Sequence, residues 1–164
     1  MSETAYVGFG GNVGDVRATL AKAITHYCDG TAVKLLARSS DYRTPPWGNT
    51  DQPPFINLCL AIETTLEPEA LLDHGLAVER AFGRDRAREE RWGPRTLDID
   101  VLSYGNRRVD TPRLTLPHPR LTERAFVLVP LAEIRPELQV GGTTVGAALA
   151  KLDTAGIQRL SPLT

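Results

Sequence analysis

The segment of residues 91–100 reads Arg91-Trp92-Gly93-Pro94-Arg95-Thr96-Leu97-Asp98-Ile99-Asp100. Its acidic and apolar residues alternate, which is typical of a β-strand, and we expect that strand over residues 96–104. The alternation places Asp98 and Asp100 on one face and apolar residues on the other: Leu97, Ile99 and Val101. Two carboxylates about 7 Å apart along a strand can bind or bridge divalent metal ions. The alternative is the solvated face of an amphipathic strand.

An arginine-rich segment precedes this strand. Its arginines are Arg84, Arg86, Arg88, Arg91 and Arg95. Arginine binds phosphate through a planar, permanently charged guanidinium, and carboxylates beside it can hold Mg²⁺. These are the components of phosphoryl-type transfer, although a solvated charged loop is the alternative for any single arginine.

The remaining segments predict a small α+β fold. We expect strands over residues 5–10, 33–42 and 55–65, a helix from Val16 behind an Asp15 cap, and a helix from Pro68 to Gly83. Loops are expected over residues 43–54 and 85–94. The order strand-helix-strand-strand-helix-strand is the ferredoxin-like βαββαβ pattern, an antiparallel sheet with helices on one face.

C-terminal additions follow this core. The sequence predicts a helix after Thr122 that is interrupted at Pro130, because proline lacks the N–H that a helix interior requires. A last short helix is expected over residues 144–152.

Composition restricts the class of protein. The 164 residues are 41% hydrophobic, enough for a single domain, 1–164, with one core. A net charge of −1 gives no general attraction to nucleic acid or an anionic membrane. No segment is long and apolar enough to span a bilayer, and the first four residues are not a signal peptide, so we expect a cytoplasmic protein. Cys28 and Cys59 lack metal or redox spacing, which favours reduced core cysteines.

Three motifs together resemble a known family. Residues 91–100, Tyr42-Arg43-Thr44-Pro45-Pro46 and Leu116-Pro117-His118-Pro119 are similar to the 6-hydroxymethyl-7,8-dihydropterin pyrophosphokinases of folate biosynthesis. The resemblance runs from about residue 5 to about residue 138, and it implies the same ferredoxin-like fold. It also implies Mg²⁺-dependent transfer of pyrophosphate from ATP to the pterin hydroxymethyl group, with AMP as the second product. A monomer is the default expectation.

The resemblance implies roles at the nucleotide end of the site. Asp98 and Asp100 match residues that bind two Mg²⁺ ions, and Arg84 and Arg95 match catalytic arginines that contact the triphosphate. The residues expected to bind ATP are Glu79, Arg84, Arg88, Trp92, Arg95, Arg113, Thr115 and His118. Arg86 is the alternative to Arg88 for one basic position of this loop in the family. Each of three residues also has a simpler interpretation: His118 as a structural histidine, Glu79 as an ordinary polar helix residue and Trp92 as an anchor of its loop.

The pterin end needs flat apolar walls and amide-like hydrogen-bonding groups. Phe55 and Asn57 share a strand face that offers both, and the resemblance adds Phe126 as the second stacking ring. It also places Thr44, Pro45 and Trp47 along the same pocket. For Asn57 the alternative is a satisfied core amide. At position 55 the family often has a tyrosine where this chain has Phe55, and at position 47 it has a leucine where this chain has Trp47.

Two other functions remain as alternatives. Ferredoxin-like sheets can bind RNA through exposed aromatic residues, but the chain has no ribonucleoprotein motif and is slightly acidic. A catalytically silent nucleotide- or pterin-binding relative is compatible with departures from the family pattern at Gly11, Trp47 and Pro119. The intact Asp98 and Asp100 argue against that alternative.

Overall fold

The structure is a computed structural model that describes residues 2–46, 50–84 and 96–162. Its strands are β1 (Glu3–Gly11), β2 (Val33–Arg38), β3 (Tyr42–Thr44), β4 (Phe55–Thr64), β5 (Asp98–Tyr104), β6 (Val109–Asp110), β7 (Thr115–Leu116) and β8 (Gln158–Arg159). Its helices are α1 (Val16–Tyr27), α2 (Pro68–Ala81), α3 (Ala125–Ile134) and α4 (Val145–Leu149), with a 3₁₀ turn at Leu121–Glu123.

The main sheet confirms the predicted ferredoxin-like order. Its strands run β5-β1-β4-β3-β8, and β2 also pairs with β4, so β1 and β4 lie at the centre. All of these pairs are antiparallel. The helices of the core, α1 and α2, pack on one face, where Phe9, Leu20, Tyr27, Leu60 and Ile99 form part of a continuous apolar cluster.

The C-terminal additions cover part of the opposite face of the sheet. There a second apolar cluster joins Tyr6, Cys59 and Leu102 of the sheet to Leu128 and Leu131 of α3. The sheet is therefore buried on both faces at this end. At the other end of the second face, the side chains of β5 and β4 line a cavity, described below.

The strand predicted over residues 33–42 is divided into β2 and β3. Between them, the buried Asp41 carboxylate accepts a hydrogen bond from Arg17 Nε of α1 at 2.8 Å. The backbone N–H of Ser40 donates to Glu133 Oε1 of α3 at 3.0 Å. The backbone N–H of Ser39 still donates to the Cys59 carbonyl of β4 at 2.9 Å, so the chain stays against the sheet while the regular ladder is interrupted. Regular pairing resumes at Tyr42 and continues to Thr44, two residues into the predicted loop.

The prediction that Pro130 interrupts the last long helix is wrong, because α3 continues through it to Ile134. Proline removes one helical donor, but Leu128 and Leu131 on either side are fully buried, and this packing holds the helix together. The predicted end of α2 is confirmed, since Gly83 follows the helix with a φ of 88°, the left-handed conformation common after a helix C-terminus.

The remaining expectations concern membranes and cysteines. Across residues 2–46, 50–84 and 96–162, no helix has both the length and the apolar character required to span a membrane. Cys28 and Cys59 are both free, as predicted; Cys59 is buried and Cys28 is half-buried against the core.

Candidate active site

The strand register brings the predicted acids and the predicted amide to one face of the sheet. On β1, Gly10 lies opposite Asp98 of β5 and opposite Asn57 of β4. Gly8, two residues earlier, lies opposite Asp100 and Cys59 in the same way. Because β1 contributes only glycines here, a trough is left between the acidic strand and the amide-bearing strand.

This trough is a cavity of about 270 Å³. Its walls include Arg84 and His118 on the acidic side and the start of α3 on the other. The full set of lining residues is Gly8, Phe9, Gly10, Thr44, Pro45, Phe55, Asn57, Leu58, Cys59, Arg84, Asp98, Asp100, Leu102, His118, Arg124, Phe126 and Val127. One pocket therefore combines carboxylates, cationic and imidazole groups, an amide and the aromatic residues Phe55 and Phe126.

The predicted alternation of β5 is confirmed. Leu97, Ile99 and Val101 are 0%, 3% and 4% exposed and belong to the core under α1 and α2. Asp98 and Asp100 are half-buried and line the cavity on the opposite face. The burial of the apolar side fixes the direction in which both carboxylates point.

A buried charge network lies behind Asp98. Arg84 Nη1 contacts Asp98 Oδ1 at 2.7 Å and Glu79 Oε2 at 3.3 Å, and it donates to the Leu97 carbonyl at 2.9 Å. Glu79 is 1% exposed and Arg84 is 6% exposed. The guanidinium is thus held between a helix carboxylate and a strand carboxylate at the edge of the cavity.

His118 enters the cavity from the segment after β7. Its backbone N–H donates to the Leu102 carbonyl at 2.9 Å, which attaches this segment to β5. Burial, with the cationic Arg124 and Arg120 nearby, lowers the pKa of the imidazole to about 4, against the opposing effect of Asp98. The ring is therefore neutral at pH 7. Because Nδ1 accepts the Arg120 N–H at 3.3 Å, the proton lies on Nε2, which can donate to a ligand.

The predicted pterin residues meet on the opposite wall. Asn57 Nδ2 donates to Thr44 Oγ1 at 2.8 Å, and Thr44 is 1% exposed. Phe55 lies opposite Thr44 in the β3–β4 pair, and Phe126 reaches the same cavity from α3. Pro45 completes this group. An aromatic residue from β4 and one from α3 thus border the space that the Asn57 amide faces.

A second cavity, of about 510 Å³, lies beside the edge strand β5. Asp100 and His118 line both cavities, so the two spaces are adjacent. Arg113 and Thr115 line the second cavity and not the first. Arg113 pairs with Asp73 and, at 3.6 Å, with Glu69, both on α2.

Several predicted residues lie outside the described part of the chain: Trp47, Arg86, Arg88, Trp92 and Arg95. Eight lining residues are not predicted from the sequence: Gly8, Phe9, Gly10, Leu58, Cys59, Leu102, Arg124 and Val127. For the glycines a signal was present, because the alternation of β1 puts Gly8 and Gly10 on the face opposite Val7 and Phe9. The position of Arg124 depends on the packing of α3, and no local pattern reports it.

The carboxylates of the cavity suit Mg²⁺ better than a metal ion that takes all of its ligands from the protein. Among the residues described here, no three or more histidine, cysteine or acidic side chains form a cluster that could hold a metal. Two carboxylates on one strand face, open to a cavity, are what Mg²⁺ uses when substrate phosphates and water supply its other ligands. Asp98 and Asp100 are the residues that could hold it.

The fold and the cavity define a class, a ferredoxin-like α+β protein with a pocket suited to the transfer of phosphoryl-type groups. Residues 6–136 match the family described as 7,8-dihydro-6-hydroxymethylpterin-pyrophosphokinase (HPPK). The chain belongs to this family.

Relatives of the chain carry a consistent name. The 2-amino-4-hydroxy-6-hydroxymethyldihydropteridine pyrophosphokinase of Methylorubrum extorquens is 55% identical over 156 residues, which cover 95% of this chain and 98% of the relative. The protein of the same name from Bacillus subtilis is 39% identical over 158 residues, covering 96% of this chain and 90% of that protein.

Solved structures agree on the fold. The crystal structure of Plasmodium falciparum HPPK-DHPS with pteroate superposes with a TM-score of 0.73 at 14% identity. The match covers 92% of this chain and 42% of that longer chain. At this identity the likeness supports the fold alone.

Proposed function

We propose that this protein transfers the terminal pyrophosphoryl group of ATP to the hydroxymethyl group of 6-hydroxymethyl-7,8-dihydropterin. The products are AMP and the pterin pyrophosphate, in folate biosynthesis. The observation that carries the proposal is the shared cavity, in which Asp98 and Asp100 face Asn57, Phe55 and Phe126 across the glycines of β1. The residues proposed to bind phosphate, on β5, are thus separated from those proposed to bind the heterocycle, on β4, by the single strand β1.

The nucleotide is placed along the acidic side. Its nucleoside end lies in the second cavity, near Arg113 and Thr115, and its phosphates pass Asp100 and His118 into the first cavity. Arg84 supplies positive charge at that boundary, and neutral His118 donates one hydrogen bond through Nε2. Arg88, Trp92 and Arg95 remain predicted parts of this end.

Asp98 and Asp100 would hold Mg²⁺ when ATP is bound. The metal would neutralise phosphate charge and align the donor, which is its usual contribution to such transfers. The expected number of two ions is part of this proposal.

The pterin is placed between Phe55 and Phe126, where its flat ring can stack. Asn57 presents its carboxamide to the polar edge of the ring, while Thr44 fixes the orientation of that carboxamide. Pro45 and Trp47 belong to the same proposed pocket. This arrangement points the hydroxymethyl group towards Asp98 and Asp100.

The transfer itself needs few groups from the chain. The hydroxymethyl oxygen attacks the β-phosphorus, and the bond between that phosphorus and the oxygen shared with the α-phosphorus breaks. AMP leaves with that oxygen, and the hydroxyl proton is released to solvent. The chain orients the two substrates and excludes water, and no side chain is assigned as a dedicated base. We propose that the protein acts as a cytoplasmic monomer.

The decisive experiment is product analysis with purified protein, ATP, Mg²⁺ and 6-hydroxymethyl-7,8-dihydropterin. AMP that forms only when the pterin is present, in equal amount to pterin pyrophosphate, supports the proposal. ADP would indicate ordinary phosphoryl transfer and contradict it. Binding of ATP without turnover would favour the catalytically silent alternative.

A further inference from the structure

We propose that Gly10 is a positioning residue for the ligand, because its lack of a side chain leaves the space in which the Asn57 carboxamide lies. This inference rests on the proposed function, in which the Asn57 carboxamide binds the heterocycle. It assigns to Gly10 the role of fixing where that carboxamide lies. Gly10 itself offers no functional group. Its contribution is the shape of the cavity floor.

The contact between the two residues is very close. A Cβ placed on Gly10 would overlap Asn57 Oδ1 and lie 3.3 Å from Asn57 Cγ. It would also lie 3.3 Å from the Ile56 carbonyl oxygen, a backbone atom of the neighbouring strand that cannot move without disturbing the sheet. Any side chain at position 10 therefore displaces the Asn57 carboxamide.

Displacement cannot occur without loss of a defined hydrogen bond. Asn57 Nδ2 donates to Thr44 Oγ1 at 2.8 Å, and Thr44 is buried in the β3–β4 pair. With Nδ2 engaged there, Oδ1 lies over Gly10 and faces the cavity, where it can accept a hydrogen bond. Gly10 and Thr44 thus act from two sides on one amide, and they present an acceptor to an N–H of the heterocycle.

Gly8 provides an internal contrast on the same strand face. A Cβ on Gly8 would meet Leu102 Cδ1 and Cδ2 at 3.7 and 3.8 Å, which is ordinary van der Waals contact. The two glycines therefore differ in what they exclude. Gly8 widens the trough, whereas Gly10 accommodates one specific side chain.

The test is a double-mutant cycle with Gly10→Ala, Asn57→Ala and the double variant. The probe is 6-hydroxymethylpterin, titrated by fluorescence in the presence of Mg²⁺ and a non-hydrolysable ATP analogue. Gly10→Ala is expected to raise the Kd of the probe roughly tenfold, the effect of losing one oriented hydrogen bond. In the Asn57→Ala background, the same change is expected to alter the Kd by less than about twofold.

A second readout needs no ligand. The urea midpoint is expected to fall more when Gly10→Ala is made in the unmodified protein than when it is added to Asn57→Ala, because only the 3.3 Å approach to the Ile56 carbonyl oxygen then remains. Should Gly10→Ala fail to fold, a folded double variant still supports the contact, and an unfolded double variant overturns it.

Equal effects of Gly10→Ala in both backgrounds would also overturn the inference, since the new methyl group would then act without Asn57. Failure of the proposed function is distinguishable, because the unmodified protein would not bind the probe while the ligand-free coupling would remain measurable.

Discussion

Glu79 Oε2 of α2 accepts the backbone N–H of Ile99, the residue between the two aspartates of β5, at 2.8 Å. The same oxygen lies 3.3 Å from Arg84 Nη1, which in turn contacts Asp98. One buried carboxylate thus fixes both the strand that carries the acids and the arginine that pairs with one of them. With Glu79 1% exposed, a positioning role explains it better than the direct ATP contact expected from the sequence.

Replacing this carboxylate tests its role. Glu79→Gln keeps an acceptor for the Ile99 N–H but removes the charge opposite Arg84, and we expect a loss of about 1–3 kcal/mol of unfolding free energy. For a chain of this size each kcal/mol corresponds to roughly 2–4 °C in Tm. Transfer should also fall, as kcat rather than as the KM for the pterin.

The matched control is Glu69→Gln, which removes an exposed acid from the same helix. Its effect on the unfolding free energy should stay within about 0.5 kcal/mol. Equal losses in the two variants, measured by urea unfolding, would contradict the positioning role of Glu79.

The two aspartates of β5 should be indispensable for transfer. Asp98→Asn and Asp100→Asn each remove one proposed Mg²⁺ ligand without changing side-chain size, so AMP formation should fall roughly 10²- to 10³-fold or more. Circular dichroism should show an unchanged fold. Asp110→Asn, an exposed acid on β6 outside the cavities, serves as the control. Substantial activity in both β5 variants would refute the proposed metal site.

His118 should make the protein sensitive to acid. Burial first, with Arg124 and Arg120, lowers the pKa of His118 from 6.5 to about 4, so between these values the unfolded chain binds more protons than the folded one. The free energy of unfolding should therefore rise with pH across this window, and be lost as pH falls through it. His118→Asn should flatten that slope in urea titrations between pH 6.5 and about 4.5.

Arg113 should matter for the nucleotide more than for stability. Its side chain is 48% exposed and pairs with Asp73 on the surface of α2, so Arg113→Ala should change the unfolding free energy by less than about 1 kcal/mol. In the proposed ATP complex, Arg113 exchanges this partner for a ligand group, and the Kd for ATP should rise roughly tenfold in the variant. Asp73→Asn removes the competing carboxylate and should leave ATP affinity equal or higher. Weaker ATP binding in Asp73→Asn would contradict this exchange.

The sequence predicts a structural feature correctly where a single strand or helix determines that feature by itself. The alternation around Asp98 and Asp100 predicts which side chains face the core, because a strand that buries one face has only one possible register. The end of α2 at Gly83 is similarly local, since a left-handed residue is needed there. Both predictions are confirmed, as is the ferredoxin-like order.

What the sequence does not predict depends on residues far apart in the chain. The break between β2 and β3 is held by Arg17 of α1 and Glu133 of α3, the latter 93 residues from Ser40. The continuation of α3 through Pro130 depends on burial against the sheet, which overrides the local preference of proline. The buried position of Glu79 likewise depends on how α2 packs against the sheet. The helical periodicity of the sequence alone predicts only an ordinary polar residue at this position.

The covering of the second sheet face by α3 and α4 also has a consequence for synthesis on the ribosome. All strands of the βαββαβ core precede residue 105, but Tyr6, Cys59 and Leu102 are covered only after residues 121–149 have been made. At about 5–20 residues per second, the nascent chain exposes this apolar face for seconds, the kind of surface that chaperones bind. Phe126 arrives with α3, so the proposed pterin pocket is completed only after α3 has been synthesised.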